Sequence, residues 1–102
     1  MYAVTYLQTN RAIRMKLIIC ILQDSDKEKV ADALVAQDFR VTVLPSTGGY
    51  FRRGNSTLML GTEDERVDFA IDTIRENCAE PDEPGMKRAT LFVLDVDRYE
   101  QV

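Results

Sequence analysis

The sequence predicts an α+β domain of the ferredoxin-like class, with a four-stranded antiparallel sheet and two helices on one of its faces. Apolar β-branched segments and amphipathic segments follow one another in the order strand, helix, strand, strand, helix, strand. A length of 102 residues suits one such domain. Residues 17–22 and 90–94 are apolar on both faces, so the face that the helices leave open also needs a cover.

The first half of the domain is predicted as strand, helix, strand. Residues 17–22 (LIICIL) form a central strand that is buried above and below. Ser25 and Glu28 have the spacing of a capping box and predict the start of the first helix. Asp38 ends that helix, and residues 39–44 (FRVTVL) alternate as a second strand. The apolar stripe of the helix consists of Val30, Ala31, Leu34 and Val35.

The second half is also predicted as strand, helix, strand. Residues 56–60 form the third strand, and Thr62 with Glu65 makes a second capping box. An acidic loop that contains proline, residues 79–85, leads to the last strand at residues 89–96. The stripe of the second helix consists of Val67, Ala70, Ile71, Ile74 and Cys78.

The composition excludes several classes of function. A net charge of −4 and a pI near 4.8 argue against a general nucleic-acid binder, which would present a basic face. The chain contains no histidine, the commonest general base and zinc ligand, so we expect neither an enzyme nor a bound metal or cofactor. No apolar run is long enough to span a membrane. Cys20 and Cys78 are expected to be buried free thiols in a reducing cytoplasm, rather than a disulfide or a reactive thiol.

The connection between the second and third strands, residues 45–55, is longer than a hairpin requires. Its glycines permit positive φ and a close approach of the backbone to a ligand. Its arginines and hydroxyls suit phosphate groups, and the rings of Tyr50 and Phe51 offer faces on which a base can stack. These residue types together predict a nucleotide site. The alternative is a long hairpin whose Tyr50 and Phe51 fold back into the core.

The apolar second face of the sheet predicts association. Two helices on one side of the sheet shield one face only, and the chain contains no further segment to cover the other. A homo-oligomer that packs sheet against sheet is the simplest cover, although the pattern does not give the number of subunits.

Three ordered motifs resemble one family. They are Gln-Asp at residues 23–24, F-R-x-T at residues 39–42, and TGGYFRRGN at residues 47–55. In this topology they resemble the PII-like cyclic-di-AMP receptors, small trimeric bacterial signalling proteins, over residues 15–102. The resemblance implies a trimer that holds the nucleotide in clefts between neighbouring subunits, against the loop that joins the second and third strands.

The resemblance also implies a set of ligand-binding residues. At Asp38 this sequence has a carboxylate where the family usually has asparagine, which could repel a phosphate. The link of residues 79–88 is shorter than in many members, and the chain ends in Val102 where an aromatic residue is common. The implied ligand-binding residues are Asp38, Arg40, Thr42, Thr47, Gly48, Gly49, Tyr50, Phe51, Asn55, Gly61, Phe92 and Gln101.

We therefore predict a ferredoxin-like domain at residues 15–102 that forms a PII-like homotrimer. Residues 1–14 are predicted to be an extension that is disordered, adds an edge strand or reflects the assigned start site. The predicted function is a non-catalytic cytoplasmic signalling protein that binds cyclic di-AMP, or a related nucleotide, and reports to an unknown downstream protein through loop conformation. The alternatives are a PII-like trimer that binds another ligand such as ATP or ADP, and an assembly protein without a nucleotide.

Overall fold

The computed structural model describes residues 14–44, 54–81, 83 and 85–102. In that part of the chain, four strands form one antiparallel sheet in the order β2-β3-β1-β4. This order and the two helices confirm the predicted ferredoxin-like class. The elements are β1 (Met15–Gln23), α1 (Lys27–Ala36), β2 (Val41–Leu44), β3 (Asn55–Glu63), α2 (Val67–Asn77) and β4 (Ala89–Val96).

The core lies between the sheet and the helices. Every second residue of β1 points into it, because side chains alternate across a strand, and Ile18, Cys20 and Leu22 are almost fully buried. The other contributions to the core come from β3, the helices and the chain just before β2. They are Leu58, Leu60, Val30, Leu34, Ala70, Ile74, Phe39 and Cys78.

The helices begin differently from the prediction. Each is preceded by a 3₁₀ turn, Asp24–Asp26 before α1 and Asp64–Arg66 before α2, and neither helix has a side-chain cap at its start. The two capping boxes were therefore wrong. Thr62 belongs to β3, where it is buried, because the strand continues three residues beyond the predicted end at residue 60.

Three further details correct the sequence interpretation. The second strand starts at Val41 rather than residue 39, and Phe39 is buried in the core just before it. Val35 is 58% exposed, because the buried positions of α1 are Val30 and Leu34 only. Cys78 follows the end of α2 and packs into the core from there.

The prediction of two buried free thiols is confirmed. Cys20 and Cys78 are both buried and unpaired. Burial raises the pKa of Cys20 to about 12, with a smaller contribution from the neighbouring Cys78, and burial likewise raises the pKa of Cys78. Since the thiolate is the reactive form, neither thiol is activated as a nucleophile.

The face of the sheet that points away from the helices is apolar. Leu17, Ile19 and Ile21 of β1 lie on it and are half-buried. On the neighbouring strand β4, Phe92 is 52% and Leu94 is 46% exposed. We call this surface the second face. Its composition is the one that led to the expectation of a homo-oligomer.

The predicted amino-terminal extension lies almost entirely outside the described residues. Residues 1–13 are not described, and of the extension only Arg14 is, whose carbonyl oxygen accepts a 2.7 Å hydrogen bond from the Asp64 amide.

Among the helices that the structure describes, none has both the length and the apolar character needed to cross a membrane.

Candidate functional site

Four of the predicted site residues lie on the second face of the sheet. Two of them, Thr42 of β2 and Phe92 of β4, lie in one row across the sheet. Met59 of β3 and Ile19 of β1 lie between them in that row. Asn55 and Gly61 share the Met59 side of β3, because they are an even number of residues away from it. Because side chains alternate along each strand, two polar side chains, an aromatic ring and a glycine come to lie on one surface.

These residues are far apart within a single copy. Thr42 on the outer strand β2 is three strand spacings, about 14 Å, from Phe92 on the opposite outer strand β4. Asn55 and Gly61 stand at the two ends of β3, six residues or about 20 Å apart. One small ligand cannot contact all four residues in a single chain.

The structure does bring together Asp38, Arg40 and Gly61, which line a cavity of about 230 Å³. The cavity lies where β2 begins, beside the far end of β3. Gly61 leaves its floor open, since a Cβ atom at this position would meet nothing nearer than the Lys16 carbonyl oxygen at 4.0 Å. The remaining lining residues are Met15, Phe39, Thr62, Glu63, Arg66 and Tyr99.

Asp38 adopts a left-handed backbone conformation, with φ of 68°. Its amide donates to the Val35 carbonyl oxygen, and the Phe39 amide donates to the Leu34 carbonyl oxygen, both at 3.0 Å. These two bonds are those of a Schellman motif, which closes the carboxyl end of α1. The turn directs Phe39 into the core and leaves Arg40 exposed at the cavity.

Arg66 is a residue of this cavity that the sequence interpretation missed. Its guanidinium donates to the Gln37 carbonyl oxygen at 2.7 Å and lies over the Phe39 ring, with Cζ 4.2 Å from the ring centroid. The ring of Phe69 in α2 packs against Phe39, with the centroids 5.9 Å apart. All these contacts join segments that are distant in the sequence, so no local pattern around Arg66 indicates them.

Asp24 belongs to the Gln-Asp motif at residues 23–24, but it is not among the ligand-binding residues that the sequence predicted. Its amide donates to the Gly54 carbonyl oxygen at 2.7 Å, and its carboxylate accepts hydrogen bonds from the buried Ser56 hydroxyl and from Lys27. The hydrogen bond from Ser56, followed by the contact with Lys27, lowers the pKa of Asp24. Asp24 therefore ties the end of β1 to the start of β3.

The backbone conformation of Gly54 explains the glycine that precedes Asn55 in the loop motif. Its φ of 90° lies in the left-handed region, which residues with a side chain rarely adopt. The expectation of a glycine with positive φ is therefore met at this position. Gly48 and Gly49 lie outside the described residues.

Asn55 lies at the other end of the sheet from Arg40. There it lines a second, open cavity of about 1220 Å³, together with Gln23 and Asp24 and with Lys87 and Arg88 from the link before β4. This cavity adds cationic groups to the surface, although Arg88 pairs with Glu80. Gln101 is exposed in the carboxyl-terminal tail.

The structure describes no loop residue of the predicted site between residues 45 and 53. Within the described residues, no cluster of side chains suits a metal ion. Whether the two loop rings fold into the core or remain available to a ligand also falls outside the described chain. The predicted ligand-binding residues that lie outside it are Thr47, Gly48, Gly49, Tyr50 and Phe51.

Comparison with known proteins identifies the family. The family model described as cyclic-di-AMP receptor matches residues 15–84. The chain belongs to the cyclic-di-AMP receptor family. The resemblance seen in the sequence is thereby confirmed, and family and fold together support a nucleotide-binding signalling protein.

Two solved structures are similar to this chain. A protein of unknown function from Pediococcus pentosaceus is 35% identical, with 89% of this chain and 100% of that chain covered and a TM-score of 0.75. The PII protein of Arabidopsis thaliana bound to citrate is 24% identical, with 80% and 74% covered and a TM-score of 0.64. The second comparison shows that the fold is PII-like.

Proposed function

We propose that this protein binds cyclic di-AMP in clefts between the subunits of a homotrimer and acts as a cytoplasmic signalling protein without catalysis. The observation that carries this proposal is the distribution of the predicted ligand residues over the second face. Four of them share this surface (Thr42, Asn55, Gly61 and Phe92), yet they are too far apart to meet around one ligand in a single chain.

A site between copies would remove this difficulty. Arg40 and Thr42 lie at the β2 side of the sheet and Phe92 lies in the outer strand β4. If two copies associate through their second faces, the β2 side of one copy can approach the β4 side of the next. Each cleft then receives an arginine and a hydroxyl from one copy and an aromatic ring from the other.

The side chains suit the two parts of a cyclic dinucleotide. The exposed guanidinium of Arg40 can form charge-assisted hydrogen bonds with a phosphodiester, and the Thr42 hydroxyl can donate to the same group. The half-exposed Phe92 ring offers an apolar face on which an adenine can stack. The 230 Å³ cavity at Arg40 is smaller than a typical pocket for a complete ligand, so it suits one part of the nucleotide.

The apolar second face supports the trimer. Exposed Phe92 and Leu94 extend the half-buried row Leu17, Ile19 and Ile21 into one continuous surface. Apolar surfaces of this kind mark contacts with other proteins. The PII-like fold is compatible with a three-fold assembly in which the sheets face inward.

Two chemical features support a receptor rather than an enzyme. The chain has no histidine. Its two thiols are buried, and burial raises the pKa of each, so neither serves as a nucleophile at neutral pH. We propose that residues 45–53 and the link before β4 report the bound state to a downstream protein.

The experiment is a calorimetric titration of the purified protein with cyclic di-AMP, cyclic di-GMP, ATP, ADP and 2-oxoglutarate. Cyclic di-AMP should bind and saturate, and light scattering should give the mass of a trimer. Arg40→Ala should weaken binding by about tenfold to a hundredfold, because it removes a charge-assisted contact worth about 1.5–3 kcal/mol.

Arg75→Ala is the matched control. Arg75 is also an exposed arginine, but it pairs with Asp72 on α2, away from the second face. This variant should bind cyclic di-AMP as the wild type does. The proposed ligand is wrong if cyclic di-AMP gives no binding heat while ATP or ADP does, and the trimer is wrong if the protein stays monomeric at micromolar concentration.

A further inference from the structure

We propose that Arg66 is a positioning residue of the nucleotide site, which holds the start of β2 so that Arg40 points into the cavity. This inference rests on the proposed function, since it names a residue that prepares that site. Arg66 acts through the turn that carries Arg40, not through a contact of its own with the ligand.

The contacts of Arg66 join the two walls of the cavity. Arg66 itself ends the 3₁₀ turn that follows β3, the strand that carries Gly61. From there its guanidinium reaches the Gln37 carbonyl oxygen at 2.7 Å and the Phe39 ring at 4.2 Å, both in the segment that leads into β2. One side chain thus fixes the distance between the Gly61 wall and the Arg40 wall.

The turn that Arg66 holds needs support. Asp38 has a φ of 68°, in the left-handed region, which is unfavourable for residues with a side chain, although aspartate and asparagine adopt it more readily than most. The Asp38 carboxylate also lies at the carboxyl end of α1, where the helix dipole disfavours negative charge. The Arg66 guanidinium opposes both effects, because it places a cation at that helix end and covers the Phe39 ring with a cation–π contact.

Arginine is suited to this role where lysine is not. Its planar guanidinium can stack on a ring and donate to a carbonyl oxygen at the same time. An ammonium group could make one of these contacts but has no flat face to lie on Phe39. Arg66→Lys should therefore restore only part of what Arg66→Ala loses, although the charge is the same.

The test combines a double-mutant cycle with amide exchange, in the full-length protein. Affinity for cyclic di-AMP is measured for the wild type, Arg66→Ala, Arg40→Ala and the double variant, with Arg75→Ala as the control. A residue that acts through Arg40 has little effect once Arg40 is gone. Arg66→Ala should weaken binding about tenfold alone and less than about twofold in the Arg40→Ala background.

Hydrogen exchange of the Asp38 and Phe39 amides provides a readout that needs no ligand. Both amides donate to carbonyl oxygens of α1, and Arg66→Ala should speed their exchange while the amides of Ile18 and Cys20 in β1 keep their rates. Unchanged exchange at the two turn amides overturns the proposal, whatever the protein binds.

The remaining outcomes separate this proposal from the proposed function. Equal losses of affinity from Arg66→Ala with and without Arg40 overturn the positioning role, because they indicate that Arg66 contacts the ligand directly. Equal acceleration of exchange throughout β1 overturns it too, since it indicates a general loss of stability. If no nucleotide binds but the turn amides alone exchange faster, the proposed function fails while the hold of Arg66 on this turn is supported.

Discussion

Asp38 shows how one residue can serve both the fold and the site. It closes α1 in a left-handed conformation and at the same time lines the cavity beside Arg40. Asparagine, which the family resemblance suggests for this position, tolerates that conformation well and carries no charge. An exchange of aspartate for asparagine at this position is therefore expected to change the stability of the fold as well as the binding of a ligand.

We expect Asp38→Asn to make the protein more stable. Removing a carboxylate from the negative end of α1 should contribute about 0.3–1 kcal/mol, which raises the melting temperature by a few degrees. Thermal unfolding at equal protomer concentration measures this. Asp32→Asn is the control, because Asp32 is an exposed carboxylate in the middle of the same helix. An unchanged or lower melting temperature for Asp38→Asn would contradict the interpretation of the turn.

The same variant should bind cyclic di-AMP more tightly. The carboxylate lines the cavity that we assign to a phosphodiester, and an amide can donate a hydrogen bond where a carboxylate repels the phosphate. Titration of the two proteins with cyclic di-AMP measures the change. Equal affinities would show that the carboxylate does not face the ligand.

Asp24 should make part of the stability depend on pH. Its pKa in the folded protein is lowered, chiefly by the hydrogen bond from Ser56, from an ordinary value of 3.8. A lowered pKa stabilises the folded state above the unfolded value, and this stabilisation is lost as the pH falls through the folded value. Asp24→Asn should therefore be less stable than the wild type at pH 7 and should match it well below pH 4.

Thermal unfolding of both proteins between pH 7 and pH 3 checks this expectation. Ser56→Ala should show the same convergence, since it removes the donor that is the largest single cause of the lowered pKa. A constant difference between wild type and Asp24→Asn over the whole range would show that the carboxylate gains nothing from its charge.

At the scale of the elements, the sequence predicted the order of strands and helices because alternation and helical periodicity are local signals. It predicted β4 to the residue, Ala89–Val96, since that strand is bounded by a loop and a polar tail. It misplaced the helix starts, because a 3₁₀ turn before each helix replaces the side-chain cap that the spacing suggested.

The contacts of Arg66 and Asp24 could not be predicted at all. Arg66 bonds to Gln37, 29 residues away, and Asp24 bonds to Ser56, 32 residues away. Such pairs depend on which loops the sheet order brings together. Neither composition nor periodicity contains that information, so Arg40 was predicted as a ligand-binding residue without Arg66 beside it.

The two glycines at the ends of β3 should respond in opposite ways to the same substitution. Gly61→Ala should keep or raise stability, by up to about 1 kcal/mol, because glycine weakens a strand and the space above it is open. Its affinity for cyclic di-AMP should fall, since the methyl group narrows the cavity. Gly54→Ala should lower stability, because its φ of 90° strains any side chain.

Thermal unfolding and a cyclic-di-AMP titration on the two glycine variants decide this. If Gly61→Ala binds as well as the wild type, no ligand approaches this part of β3. If Gly61→Ala unfolds at a clearly lower temperature, the open space at Gly61 is already used by the fold.

At the scale of the molecule, the apolar second face was predictable from strands that are apolar on both sides. The positions of four predicted ligand-binding residues on that face followed from the register, which only the structure provides. These residues are about 14 Å and 20 Å apart, so a single copy cannot bring them all to one ligand. For this reason we propose a site that is shared between copies. The claim is that each site takes Arg40 from one copy and Phe92 from another.

Mixed assembly of two defective variants tests that claim most directly. Arg40→Ala and Phe92→Ala should each bind cyclic di-AMP weakly when assembled alone. When equal amounts are unfolded and refolded together, random mixing should restore about one site in four to wild-type affinity, because that site receives the intact Arg40 of one copy and the intact Phe92 of its neighbour. A mixture that binds no better than the two variants refolded separately would contradict a site shared between copies.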